Sequence, residues 1–178
     1  MNLHHVDWLV LNDDIRSSLL SRGRNSKYLP WCDIPRELIT PSADINEVVR
    51  DADIVVLAMP SAFMKKFLEP LTESLSNKIV VSVVKGIIPG DYLTIVEHMH
   101  RHYDVPMENL CVVTGPSHAE EVGQCRLSYL TVASESEATA EKVRTLLAND
   151  YFRCTISDDV LGVEGAAIMV SPRRWPTF

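Results

Sequence analysis

An α/β domain on a doubly wound, mostly parallel sheet is the fold class this sequence predicts, and three observations predict it. Short β-branched runs alternate with stretches of helical periodicity, the pattern of strands joined by crossover helices. Three of those runs end in polar tight turns, Met59-Pro60-Ser61, Val84-Lys85-Gly86 and Thr114-Gly115-Pro116-Ser117. Composition agrees: hydrophobic residues are 46% and charged residues 23% of 178, enough apolar material to bury a core in one ordinary domain.

Taken in order, residues 3–11 (LHHVDWLVL) read as a strand with no strand and glycine-rich turn before it. Residues 52–59 (ADIVVLAM) are a continuous apolar run closed by Pro60, as in a strand covered on both faces. A helix is expected over 62–75, with Phe63, Phe67, Leu68, Leu71 and Leu75 on one stripe and Ser61 capping the first turn. The next buried strand is 79–84, and 91–101 reads as a helix carrying Leu93, Ile95, Val96 and Met99. Residues 110–113 give a third buried strand. Ser117 and Glu120 stand at capping-box spacing, so a helix should begin there. Strands over 128–133 and 152–156 flank a helix over 138–148. After Glu164 comes one apolar helical turn, then two prolines and no apolar periodicity, so 165–178 is expected to be an unordered tail.

Seventeen Lys and Arg against 24 Asp and Glu leave a net charge of −7. The longest basic run is Arg173-Arg174, so the footprint of a nucleic-acid binder is missing. No apolar stretch reaches the ~20 residues that span a bilayer, and the first residues lack the pattern of a signal peptide. The four cysteines contain no CxxC and read as reduced thiols of a cytoplasmic protein.

In an open parallel sheet, ligands bind beyond the carboxyl ends of the strands, where helix N-termini present free N–H groups to anions. The three tight turns converge on that edge, although such a fold needs turns there in any case. Lys85 follows an apolar strand directly, and an unpaired ammonium is too costly to bury; it faces a polar cleft or snorkels to solvent. Neither GxGxxG nor Walker A occurs. His98 and His102 are the only pair among His98, His100 and His102 that shares a helix face, and with no Cys or acid cluster at ligand spacing they read as a solvated face. Ser117-His118 lacks a GxSxG elbow, which argues against a hydrolase. Asp13-Asp14 and Asp158-Asp159 read as turn or cap carboxylates.

The strings ADIVVLAMPSAF (52–63), VVSVVKGIIP (80–89), VVTGPSHAEEV (112–122), YLTVAS (129–134) and ISDDVLGVE (156–164) resemble, in that order and spacing, NAD(P)-dependent glycerol-3-phosphate dehydrogenase. The bacterial form, of Bacteroidetes type, is the nearest in appearance. The resemblance implies an NAD(P)-binding domain of Rossmann type over 1–164, and an all-helical C-terminal domain in full-length members. It implies NAD or NADP as cofactor and the interconversion of dihydroxyacetone phosphate and sn-glycerol 3-phosphate, a glycerophospholipid precursor. By motif, Pro60, Phe63, Lys85 and Ala119 would contact the cofactor, Phe63 on the nicotinamide side. Lys85, Gly115 and Ser117 would lie on the substrate side, with Lys85 in the catalytic role.

Departures from the family pattern carry expectations of their own. The family opens with a strand and a GxGSWG-like turn, which would seat the pyrophosphate; here that first βα unit is missing. Where the family often has an arginine for a 2′-phosphate, this chain reads Leu11-Asn12-Asp13-Asp14, which weakens any NADP preference. Six residues after the glutamate of the late G-x-E segment the family places its general-acid Lys, followed by Asn; counted from Glu164, Val170 and Ser171 stand there. Valine has no proton to give. The helical domain is also missing, so the chain is expected to be truncated at both ends and to turn over little or nothing. A non-catalytic nucleotide-binding or interaction fragment is the alternative. Strand edges left open this way would favour association, so a homo-oligomer is also expected.

Overall fold

The computed structural model describes residues 4–170, which form two sheets. The smaller pairs β1 (Val6–Leu9) in parallel with β2 (Ile39–Ser42). Between them α1 (Asp13–Arg22) starts on Asn12, whose Oδ1 accepts from the Ile15 amide at 2.9 Å, and stops at Gly23 in the left-handed region. Val10, Ile15 and Leu19 make a small core of their own.

After α2 (Ile45–Arg50) the chain enters the larger sheet, whose strands lie side by side in sequence order. They are β3 (Ile54–Leu57), β4 (Ile79–Ser82), β5 (Leu110–Thr114), β6 (Ser128–Ala133) and β7 (Phe152–Ser157). Every pairing is parallel except β5 with β6. Side chains alternate between two apolar layers, as the period of a strand requires. Val80, Leu110, Val112 and Ala133 face one core, shared with Met64, Ile95 and Met99. Val81, Cys111, Val113 and Val132 face the other, shared with Ala140 and Val143 of α6 (Glu137–Leu147). A sheet clad on both faces is the doubly wound class, as expected.

Several elements differ from expectation. β2 holds Pro41, which reads as a strand breaker. It is tolerated because β2 pairs on one side only, so the missing N–H leaves no ladder bond unmade. The helix expected over 62–75 is a 3-10 turn, Ser61–Phe63, followed by α3 (Met64–Leu68). Pro70 ends it, lacking an amide and crowding the preceding turn. Leu71 and Leu75 reach the same core from a loop, and the Asn46 side chain holds that loop by accepting from the Thr72 and Glu73 amides and donating to the Pro70 carbonyl.

The helix expected from 91 is α4 (Ile95–Tyr103), which starts at a capping box between Thr94 and Glu97. The helix expected at Ser117 is α5 (Ala119–Gly123), with His118 at its N-cap and no side-chain cap; Ser117 and Glu120 do not form their box. Ser61 likewise caps nothing by its side chain. The tail boundary at 165 is also corrected in part. α7 (Val160–Val170) runs through it, because Gly165–Val170 continue the apolar helical turn, while residues 171–178 lie outside the described residues. Among the described residues no helix is long and apolar enough to cross a membrane.

Candidate functional site

The carboxyl ends of β3, β4 and β5 lie along one sheet edge because the three strands are adjacent and parallel. After β3, Pro60 opens the 3-10 turn and its carbonyl accepts from the Phe63 amide at 2.9 Å. That turn carries the Phe63 ring outward, 55% exposed. Phe63, Phe67, Leu9, Leu11, Asp44 and Pro70 are among the residues around a cavity of about 510 Å³.

Ser61 is buried beneath the turn that follows β4. A Cβ on Gly86 would stand 2.3 Å from the Ser61 hydroxyl oxygen, so a hydrogen at position 86 is what lets the two turns touch. One residue earlier, the half-buried Lys85 reaches across to the next strand end. Its Nζ lies 3.5 Å from the Gly115 carbonyl oxygen. That distance is a weak hydrogen bond, and among the described residues no carboxylate pairs with Lys85. The ammonium therefore retains donors for an anionic or carbonyl oxygen. Gly115 is itself required: a Cβ there would meet the Tyr129 carbonyl oxygen of β6 at 2.1 Å.

The structure thus brings Pro60, Phe63, Lys85 and Gly115 onto one edge. Ser117 is half-buried and Ala119 exposed in the segment that follows, and no hydrogen bond among the described residues joins either to Lys85. α5 is little more than one turn and carries Glu120 and Glu121 in its first turn, so it adds little positive field for an anion. Val170 is the last described residue of α7.

Sequence reasoning missed two contacts. The Ser61–Gly86 approach is signalled only by a glycine directly after Lys85. Glu164, fully buried, accepts the Ile95 amide at 2.9 Å on Oε1, tying α7 to the start of α4. Burial pushes its carboxyl above the usual range, against the opposing pull of the Thr94 hydroxyl and the Ile95 and Val96 amides. The cap reading of the acidic pairs is borne out at Asp159, whose Oδ1 accepts from the Gly162 amide at 2.8 Å.

A doubly wound sheet with an aromatic-lined cavity and the Lys85 ammonium at its carboxyl edge defines a nucleotide-binding α/β domain. The model of the family described as NAD-dependent glycerol-3-phosphate dehydrogenase N-terminus matches residues 1–140, and the chain belongs to that family. Among curated relatives it is 31% identical over 165 residues to glycerol-3-phosphate dehydrogenase [NAD(P)+] of Halalkalibacterium halodurans, covering 92% of this chain and 47% of the relative. It is 33% identical to the enzyme of the same name from Agathobacter rectalis, over 92% of this chain and 48% of that one. Of solved structures, glycerol-3-phosphate dehydrogenase from Plasmodium falciparum superposes with a TM-score of 0.84 at 18% identity, over 92% of this chain and 46% of that chain. The Coxiella burnetii enzyme gives 0.78 at 22%, over 90% and 48%. The chain spans about half the length of these relatives.

Proposed function

We propose that this chain supplies the nucleotide-facing and substrate-facing edge of an NAD(P)-dependent glycerol-3-phosphate dehydrogenase, and that with valine at position 170 it binds without turning over. The observation that carries this reading is the Lys85 ammonium, set 3.5 Å from the Gly115 carbonyl between two strand ends. The residues present fit the cofactor's ring end: Phe63 offers an exposed aromatic face beside an apolar cavity. When bound, NAD(P)H supplies the hydride. Lys85 holds the substrate's carbonyl or phosphate oxygen through a charge-assisted hydrogen bond, placed where negative charge grows. Gly115 admits the substrate close to backbone, with Ser117 beside it, while Pro60 and Ala119 border the cofactor. Val170 cannot protonate the developing alkoxide. Asp13 and Asp14 begin α1 just beyond β1 and repel a 2′-phosphate, so NADH is favoured over NADPH. Four free thiols suit a reducing cytoplasm, and a net charge of −7 suits small-molecule rather than nucleic-acid partners.

Calorimetric titration of the 178-residue chain tests this. NADH is expected to bind with a Kd below about 100 μM, equivalent to roughly 5.5 kcal/mol, and more tightly than NADPH. Dihydroxyacetone phosphate, added next, is expected to bind the wild type and to bind Lys85→Ala at least tenfold more weakly. NADH oxidation with that substrate should not exceed the Lys85→Ala rate. Absent NADH binding overturns the reading, and substrate-dependent turnover well above the variant overturns the inactivity.

A further inference from the structure

We propose that Asp91, His98 and His102 form a binding site for one divalent transition metal ion of the zinc class. α4 carries the two histidines four residues apart on one face, with ring centroids 4.7 Å apart. His98 is 4% exposed, and among the described residues neither of its ring nitrogens has a hydrogen-bond partner. Buried polar atoms are almost always satisfied, so the enclosed imidazole has a nitrogen to offer a ligand.

The turn before α4 brings a carboxylate to the pair. Asp91 Oδ1 accepts from the Lys65 ammonium at 2.7 Å. Its Oδ2 faces the histidines, 3.6 Å from His98 Nδ1 and 3.8 Å from His102 Nε2. All three ligand atoms lie within 4.8 Å of one another. Tetrahedral zinc with bonds of about 2.0–2.2 Å holds its ligand atoms about 3.3–3.6 Å apart, so small rotamer adjustments close the site.

Two imidazoles and a carboxylate suit zinc, cobalt or nickel rather than magnesium or calcium, which prefer oxygen sets. The three side chains border a cavity of about 410 Å³ together with Lys65, Glu69 and Tyr103, which leaves room for water in the shell. Burial and the neighbouring His102 hold the His98 imidazole below the ordinary histidine range, and the Lys65 hydrogen bond lowers Asp91. None of the site's residues lines the Lys85 edge or the cavity beside Phe63, so the site stands apart from the dehydrogenase reading.

Binding of Co²⁺ and Zn²⁺ to the full chain, followed by the visible absorption of cobalt and by calorimetry, tests the site. One ion per chain is expected, with a micromolar or tighter Kd. Losing one of three ligands should weaken binding about 100-fold in His102→Gln, an exposed position that leaves the core intact, and in Asp91→Asn. Lys65→Met is expected to tighten zinc about tenfold, because it removes a cation that competes for Asp91; a merely structural role for Asp91 would not produce that gain. Wild-type binding that His102→Gln leaves unchanged, binding abolished by alkylating the exposed cysteine instead, or no binding at 100 μM zinc each overturns the proposal.

Discussion

Gly86 shows how much of this edge depends on one missing methyl group. The Ser61 hydroxyl oxygen lies 2.3 Å from where a Cβ would be, with the buried serine wedged under the β3 turn. Gly86→Ala is therefore expected to destabilise the chain by about 1–3 kcal/mol, as overpacking does. Ser61→Gly should recover part of that loss. Denaturant melts of both single variants and the double variant check this; strictly additive losses would show that the two turns do not press on each other. The same contact explains why the site was only partly legible. Lys85 stood out in the sequence because a charge directly after an apolar strand must face something polar, and the structure sets it against Gly115. A contact between Ser61 and Gly86, 25 positions apart, leaves no periodic trace.

Glu164 links two elements, and its charge state makes the link depend on pH. Its carboxyl is raised above the usual value by burial, so between the unfolded value and the higher native one the folded chain holds more protons than the unfolded chain. Stability from this group is therefore complete below the unfolded carboxyl range and falls as pH rises through the native value. Glu164→Gln should flatten that part of the stability–pH profile; an unchanged slope would mean that the raised carboxyl does not govern it. At this scale the strands were the legible elements, since β3 to β5 are runs of valine, isoleucine and leucine that little else could accommodate. Helix ends were not. The leucine stripe through Leu75 pointed to a long helix, yet Pro70 prevailed, and the box at Ser117 yielded to a start at His118. β2 was hidden by Pro41, which only its one-sided pairing explains.

For the molecule as a whole, Cys111 is a built-in reporter. It is fully buried in β5, facing the layer it shares with Val81 and α6, and burial pushes its thiol up to about 12. Thiolate is the reactive form, so iodoacetamide at pH 8 should modify the exposed Cys125 quickly and Cys111 only when the sheet opens. Peptide mapping over time checks this, and equal rates at the two sites would mean that the native sheet does not shield β5.

The antiparallel pairing of β5 with β6 redirects the rest of the chain. β6 and β7 run opposite to β3, β4 and β5, so α7 departs from the side of the sheet remote from Lys85. One turn later Glu164 already touches the start of α4, a helix that itself sets out from the Lys85 side. Eleven residues of α-helix climb about 16 Å, close to the height of a strand. The switchback thus turns α7 back along the sheet, where its buried Glu164 fastens it to α4.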